Sequence, residues 1–386
     1  MPLRSSRGDL ARMKRPTETP LAASLPASVP FVGPEALERQ RGVRFRARLG
    51  ANESLFGPSP KVLSAIQAAG SEAWMYGDPE NHDLRHALAT ALGIKPDEVV
   101  VGEGIDGLLG YVVRLFVGPG DTVVTSDGAY PTFNYHVAGY GGTLVKVPYV
   151  DDHEDIAGLL AAAKANGAKL IYLANPDNPM GSWHSAAAID AMISELPEEC
   201  LLVLDEAYVE FAPKDAIPRV DVSNPRVIRM RTFSKAHGMA GLRVGYAFGA
   251  RDVIRSFEKI RNHFGMSRVS QAAALAALAD TVWVTHVRNN VETARARIAQ
   301  ISSQNGLIPL QSATNFVTVD CGRDASFAKT VLDQLVARNI FVRMPFATPG
   351  NRCIRISAGP DDTLDAFENV LPDAIEAAQI SLSSKT

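Results

Sequence analysis

Residues 232–243 contain a lysine in a setting that packing alone does not explain. Lys235 follows two hydroxyl residues, Thr232 and Ser234, in a run rich in small residues, and Arg243 comes eight positions later. A lysine amine can hold an aldehyde cofactor as an imine and later move a proton between two carbons, while hydroxyls and an arginine bind phosphate. The stretch therefore predicts a site for pyridoxal phosphate, which has both groups. The alternative is a solvated lysine in a flexible loop.

An acidic residue at the end of an apolar segment supplies a second chemical group. Residues 201–204 are typical of a buried strand, and Asp205 follows them directly. Ligands of open α/β sheets bind at the carboxyl ends of strands. A charge that leaves an apolar strand is costly without a cationic partner, and a protonated pyridine nitrogen is such a partner. Asp205 would thereby keep the cofactor ring an electron sink.

Polar and aromatic residues near other strand ends could complete a ring-binding site. Asn178 lies in a turn with two Asn-Pro pairs, and Tyr208 follows soon after Asp205. Both side chains are predicted to hydrogen-bond the phenolate oxygen of the ring. Phe133 is predicted to stack on the ring face, with core packing as the equal alternative for this residue. The predicted catalytic residues are Lys235, Asp205 and Tyr208.

A formal G-x-G-x-x-G, residues 102–107, lies between a predicted strand and a predicted helix. The N–H groups near Ile105 and Asp106 would bind the cofactor phosphate, because helix N-termini attract anions. The other predicted phosphate ligands are Thr232, Ser234 and Arg243. The same motif, with Asp127 after the next strand, also favours an NAD-dependent oxidoreductase. That alternative gives Lys235 no role.

Composition and charge argue against several classes of partner. The 386 residues are 46% hydrophobic and carry a formal net charge of −3, which favours neither nucleic acid nor an anionic membrane as partner. No apolar run reaches the length of a membrane span. The three cysteines are far apart, which fits reduced thiols in the cytoplasm. His82 and His86 lie one helical turn apart without a third ligand, so no metal site is predicted.

Taken together, these motifs resemble those of the fold-type I pyridoxal-phosphate aminotransferases, and most of all those of the histidinol-phosphate aminotransferases among them. The resemblance covers most of the chain from residue 51 to residue 359, and the motifs occur in the order of that family. The matching segments are 51–53 with 57–60, 76–79, 102–107, 175–181, 205–208, 232–243 and 355–357. Such ordered agreement is specific for cofactor and fold.

The resemblance implies partners and further site residues. It implies a homodimer with shared active sites, in which Tyr76 reaches the cofactor phosphate of the other subunit. The substrates would be a small amino donor and a 2-oxo acid. Asn52 would bind substrate, and Arg355 would hold the carboxylate of the glutamate that donates the amino group. Arg343 would join Arg355 on the phosphate of the second substrate, with a surface ion pair as the alternative for Arg343.

Departures from the family pattern concern the substrate. Met180 stands where the family usually has threonine, Gly107 where it usually has an acidic residue, and residues 103–105 replace the commoner Asn-Gly-Ser. An aromatic or other amino-acid aminotransferase and a phosphothreonine decarboxylase therefore stay open. A regulator with an aminotransferase-like domain would need a DNA-binding module before residue 50, and that segment lacks the length and apolar periodicity.

The order of apolar and amphipathic segments predicts the architecture. Residues 61–285 favour a large α/β domain with a mostly parallel, doubly wound sheet, the large domain of fold type I. Residues 31–60 together with 286–386 favour a smaller α/β domain. Residues 1–30 are predicted to form a tail or an arm over a neighbour, because prolines interrupt the apolar run that an export signal needs.

Overall fold

The computed structural model describes residues 16–27 and 32–383. The predicted tail therefore lies mostly outside the described residues. Within its described part, a short helix begins after Thr19, whose hydroxyl accepts a hydrogen bond from the N–H of Ala22 at 3.2 Å. None of the residues in this helix is buried. No helix in the described ranges is long and apolar enough to cross a membrane.

Strands and helices alternate along most of the described chain. The strands are β1 (Ala47–Arg48), β2 (Val99–Gly102), β3 (Thr122–Ser126), β4 (Thr143–Val147), β5 (Leu170–Ala174), β6 (Leu201–Asp205), β7 (Val227–Thr232), β8 (Gly245–Gly249), β9 (Ile308–Pro309), β10 (Phe316–Asp320), β11 (Ile340–Phe341) and β12 (Cys353–Ser357). The helices are α1 (Pro20–Ser24), α2 (Pro34–Arg41), α3 (Pro60–Gly70), α4 (His82–Leu92), α5 (Gly104–Phe116), α6 (Pro131–Gly139), α7 (Ile156–Asn166), α8 (Ala186–Ser194), α9 (Arg251–Arg255), α10 (Arg268–Leu278), α11 (Thr281–Gln304), α12 (Ala325–Ala337), α13 (Asp361–Glu368) and α14 (Leu371–Ser383).

A seven-stranded sheet forms the centre of the fold, in the order β2-β8-β7-β6-β5-β3-β4. The strands from β7 to β4 are parallel, and β8 runs antiparallel to its neighbours β7 and β2. Strands β5 and β6 are buried at every residue, which is why they are continuous apolar runs. The carboxyl ends of β2, β3, β5, β6 and β7 consequently meet at one edge of the sheet.

This strand order contradicts the oxidoreductase alternative. In a dinucleotide fold, the strand before the glycine-rich turn and the next strand are parallel neighbours. Here four strands separate β2 from β3. Asp127, the candidate ribose ligand, lies 3.4 Å from the amine of Lys146 in a partly exposed ion pair.

Two smaller sheets form around a second hydrophobic core. One has the antiparallel order β12-β10-β9, and the other pairs β1 with β11. The core between them includes Val287 and later residues of α11 as well as residues from α12 to α14. Because β1 joins this C-terminal core, the arrangement supports the proposed small domain of residues 31–60 and 286–386. The boundaries at residues 60 and 285 stay a prediction.

Several element boundaries differ from those predicted. Helix α5 begins at Gly104, four residues before the predicted start, so the glycine-rich turn forms the first turn of the helix. Residues 131–133 begin α6 instead of lying at a strand end. Strand β11 ends at Phe341, and Arg343 makes only an isolated bridge to Arg355. Strands β1, β4, β7, β8 and β9 were not predicted.

Candidate active site

A cavity of about 660 Å³ opens at the edge of the central sheet where the parallel strands end. Most of the predicted site residues line it. These are Asn52, Ile105, Asp106, Asn178, Asp205, Tyr208, Thr232, Ser234, Lys235, Arg243, Arg343 and Arg355. Of the predicted site residues, Phe133 and Tyr76 do not line the cavity.

The side chain of Lys235 lines the cavity, and its amine is held by a hydrogen bond. Its Nζ donates a hydrogen bond to the carbonyl oxygen of Asn52 at 3.0 Å and lies 5.4 Å from the ring centroid of Tyr208. Asn52 adopts a left-handed backbone conformation, with φ of 55°, and is buried. Its side-chain amide donates to the hydroxyl of Tyr208 at 3.0 Å. Asn52 therefore positions both the amine and the phenol.

Asp205 lies at the carboxyl end of β6 and is 5% exposed. One carboxylate oxygen accepts from the N–H of Ala207 at 2.9 Å, and the other accepts from the hydroxyl of Tyr172 at 2.7 Å. The pKa of Asp205 is raised to about 6, mainly by burial and also by the nearby charge of Asp106, against the lowering effects of its two hydrogen bonds and of Lys235. The carboxylate makes no salt bridge with any residue in the described ranges, so the site favours a cationic ligand.

The N-terminus of α5 and the residues after β7 form an anion-binding end of the cavity. Glu103 precedes α5 without a side-chain capping hydrogen bond, which leaves the N–H groups of the first turn available. Arg243 Nη2 lies 3.6 Å from Asp106, and its Nη1 lies 3.5 Å from the hydroxyl of Ser234. The hydroxyl of Thr232 accepts a hydrogen bond from the N–H of Ser234 at 3.1 Å, which orients the Thr232 hydroxyl.

Two glycines, Gly104 and Gly245, allow the N-terminus of α5 to lie close to Arg243 and to β8. Gly104 has φ of 75°, and a Cβ there would lie 2.4 Å from Nη2 of Arg243. A Cβ at Gly245 in β8 would lie 2.8 Å from the backbone nitrogen of Ile105. Larger residues at either position would push the helix N-terminus and the guanidinium apart.

The prediction that Phe133 stacks on the ring is wrong. Phe133 is fully buried in α6, where its ring stacks on Tyr172 with centroids 4.6 Å apart. Tyr130, three residues earlier, lines the cavity instead and donates its hydroxyl to Asp106 at 2.7 Å. The core-packing alternative for Phe133 therefore holds, and Tyr130 is the aromatic residue of this segment that lines the cavity.

Two arginines on paired backbone segments, Arg343 and Arg355, also line the cavity. Arg355 donates to the side-chain oxygen of Asn178 and to the carbonyl of Gly50, and its buried Nε has no hydrogen-bond partner among the described residues. Burial lowers the pKa of Arg355 to about 10. Arg343 donates to the carbonyl of Val32 at 2.9 Å. Arg355 makes no salt bridge to a carboxylate in residues 16–27 or 32–383, so a ligand anion is its expected partner.

Tyr172 is a site residue that the sequence did not reveal. It lies in the apolar strand β5, lines the cavity and contacts Asp205. The available signal was a hydroxyl within an otherwise apolar strand, because a buried hydroxyl needs a hydrogen-bond partner.

Comparison with known proteins assigns the chain to a family. A model of the family "Aminotransferase class I and II" matches residues 47–371. The chain belongs to the aminotransferase class I and II family. Its members include proteins with the same mostly parallel sheet, and the predicted α/β fold of type I is confirmed.

Individual relatives of this aminotransferase carry more specific names. The crystal structure of histidinol-phosphate aminotransferase from Sinorhizobium meliloti in complex with pyridoxal-5'-phosphate is 56% identical, with a TM-score of 0.91, and covers 93% of this chain and 98% of that one. A histidinol-phosphate aminotransferase of Anaeromyxobacter sp. is 35% identical over 89% of this chain and 95% of its own length. One from Moorella thermoacetica is 32% identical over 91% of each chain.

We expect Asp205→Asn to stabilise the cofactor-free aminotransferase at alkaline pH. The folded-state pKa of Asp205, about 6, exceeds the ordinary value of 3.8. The buried charge therefore does not lower the free energy of unfolding below pH 4, lowers it increasingly between pH 4 and pH 6, and lowers it by a constant amount above pH 6. The expected gain for the variant is about 3 kcal/mol at pH 8 and close to zero at pH 4. Denaturant unfolding of both cofactor-free proteins measures it.

Asp333→Asn is the matched control, because Asp333 forms an exposed ion pair with Lys329 on α12. It should change stability by less than about 1 kcal/mol at either pH. Equal stability of Asp205→Asn and the wild-type protein at pH 8 would show that Asp205 is not under electrostatic strain.

Proposed function

We propose that this chain is a pyridoxal-phosphate-dependent aminotransferase that transfers the amino group between histidinol phosphate and 2-oxoglutarate, a step of histidine biosynthesis. The observation that carries the proposal is one cavity that joins the Lys235 amine, the buried Asp205 carboxylate and an anion-binding end. The three relatives described above bear the name histidinol-phosphate aminotransferase.

The residues present fit the cofactor at both of its ends. The carboxylate of Asp205 matches the ring nitrogen, since it is buried and has no salt-bridge partner among the described residues. The uncapped N-terminus of α5, with Ser234 and Arg243, matches a phosphate. Tyr130 is an aromatic residue of the cavity wall, and its hydroxyl donates to Asp106.

When bound, pyridoxal phosphate supplies an electron sink that stabilises negative charge at the substrate α-carbon. Lys235 would take the proton from the substrate α-carbon and return it to the carbon that comes from the cofactor aldehyde, because its amine lines the cavity. Tyr208 accepts a hydrogen bond from Asn52, which leaves its own O–H to be donated to the phenolate oxygen. Asn178 lines the same cavity, and its side-chain oxygen accepts a hydrogen bond from Arg355, which orients the amide.

The two arginines account for recognition of two different substrates. Glutamate and 2-oxoglutarate carry a carboxylate, and histidinol phosphate carries a phosphate, so one anion site can serve both halves of the reaction. Arg355 is partly buried without a carboxylate partner among the described residues, and its planar fork suits either anion. Arg343 is bonded through its backbone to Arg355 and lines the same cavity.

We further propose a homodimer in the cytoplasm. Trp74, Tyr76 and Phe264 are 82%, 78% and 57% exposed, and the rings of Tyr76 and Phe264 are 4.9 Å apart. An exposed aromatic group of this kind is typical of a surface covered by another subunit. The three cysteines are buried and unpaired, in accord with a reducing compartment.

We expect Tyr76 to act in the site of the other subunit. Impaired Tyr76→Phe dimers mixed with Lys235→Ala dimers under subunit exchange should recover roughly a quarter of the wild-type activity, because each hybrid has one complete site. The rate of amino transfer after exchange measures the recovery. Mixing Lys235→Ala with Asp205→Asn is the control, since both groups come from one subunit and no complete site forms. Confirmed exchange without recovery would contradict the shared site.

We expect Arg343→Ala to lose the phosphorylated substrate selectively. Its kcat/KM for histidinol phosphate should fall about a hundredfold, because a charge-assisted hydrogen bond is lost, while kcat/KM for phenylalanine should change little. Steady-state kinetics with a panel of amino donors and 2-oxoglutarate provides the measurement. Arg338→Ala removes an arginine that bonds Gln334 on α12 and serves as the control.

The same panel distinguishes the alternative substrates. Equal losses for all donors, or an aromatic amino acid as the best donor of the wild-type protein, would make the protein an aromatic aminotransferase. Release of carbon dioxide from phosphothreonine without amino transfer would make it a decarboxylase.

A further inference from the structure

Tyr172 is a buried hydroxyl next to the cavity for which the mechanism above gives no role. It is fully buried in β5 and donates a hydrogen bond to Oδ2 of Asp205 at 2.7 Å. In the register of the two parallel strands, Ala174 lies opposite Asp205, so Tyr172 reaches along the sheet to the end of β6. Its side chain is also part of the cavity lining.

The ring of Tyr172 cannot easily turn away from Asp205. Phe133 stacks on it with an interplanar angle of 17° and a centroid distance of 4.6 Å, and both rings belong to the core under α5 and α6. The other carboxylate oxygen of Asp205 accepts from the N–H of Ala207 at 2.9 Å. With one fixed donor on each oxygen, the orientation of the carboxylate group is set.

The charges around Asp205 make this hydroxyl necessary. Two acidic groups interact electrostatically with Asp205, namely Asp106 on α5 and Glu154 in the segment between β4 and α7. Lys235 is a cation that interacts with it. Burial and Asp106 raise the pKa of Asp205, whereas the hydrogen bond from Tyr172 lowers it. Burial and the charge of Asp205 raise the pKa of Tyr172 well above its ordinary value. The phenol therefore keeps its proton and acts only as a donor.

We propose that Tyr172 is a positioning residue that holds Asp205 ionised and in a fixed orientation against the ring nitrogen of the cofactor. This inference rests on the proposed binding of pyridoxal phosphate. Without the hydroxyl, the carboxylate would keep only the N–H of Ala207, and the proton shared with the ring nitrogen would move toward Asp205. The electron sink would weaken, while the substrate contacts of Arg343 and Arg355 would stay in place.

Tyr172→Phe tests the inference, because it removes the hydroxyl and keeps the stacked ring. The protein is loaded with pyridoxal phosphate labelled with ¹⁵N in its ring, and the ¹⁵N chemical shift reports whether that nitrogen carries a proton. We expect a protonated nitrogen in the wild-type protein and a shift toward the unprotonated position in Tyr172→Phe. We also expect kcat to fall about ten- to a hundredfold with little change in KM.

Tyr149→Phe is the matched control. Its hydroxyl donates to another buried carboxylate, Asp177, at 3.0 Å, and neither residue lines the cavity. This variant loses the same type of bond, so it should lose stability but keep the wild-type ¹⁵N shift. In the Asp205→Asn background, Tyr172→Phe should have no further effect on kcat, because Tyr172 acts through the carboxylate.

The outcomes separate this inference from the proposed function. If the wild-type protein binds the labelled cofactor and Tyr172→Phe leaves both the shift and kcat unchanged, Tyr172 is only a packing residue. Additive effects of Tyr172→Phe and Asp205→Asn would also overturn the inference. If the wild-type protein does not bind the labelled cofactor, the proposed function itself fails.

Discussion

The burial of one carboxylate, Asp205, is the constraint on which the site depends. It lies at the end of a fully buried strand, accepts two hydrogen bonds and has no salt-bridge partner in the described ranges. Such a charge is costly in the protein alone, and its raised pKa expresses that cost. In the proposed function the cationic ring nitrogen of the cofactor would remove this cost, so the strain of the cofactor-free site would become affinity for the cofactor. Stability and function are opposed at this residue.

The sheet topology explains how distant residues reach this carboxylate. Parallel strands all present their carboxyl ends to one edge, so the segments after β2, β5, β6 and β7 meet there although they are far apart in the sequence. Each segment contributes a different group: backbone N–H groups, an amide, a carboxylate and an amine. The second core adds Asn52 and the two arginines from the other side of the cavity. Specificity and chemistry therefore come from different parts of the fold.

The sequence predicted which charged residues line the cavity better than it predicted which aromatic residues do. Asp205, Lys235 and Arg243 stand out because apolar or glycine-rich surroundings give such residues no structural role. Phe133 was predicted to line the cavity, but Tyr130 does so. Both are aromatic residues at the start of α6, and only tertiary packing decides which one enters the core. Strand β7 was missed because it contains Arg229 and Arg231. In the structure Glu206 forms ion pairs with both arginines, which no local pattern indicates.

The central claim is that Lys235 and Asp205 hold pyridoxal phosphate between them. The most direct measurement is borohydride reduction of the wild-type protein after loading with the cofactor, followed by peptide mass spectrometry. The account predicts one cofactor adduct per chain, on the peptide that contains Lys235, and no adduct in Lys235→Ala. An adduct on a different lysine, or no cofactor retained after loading, would contradict it.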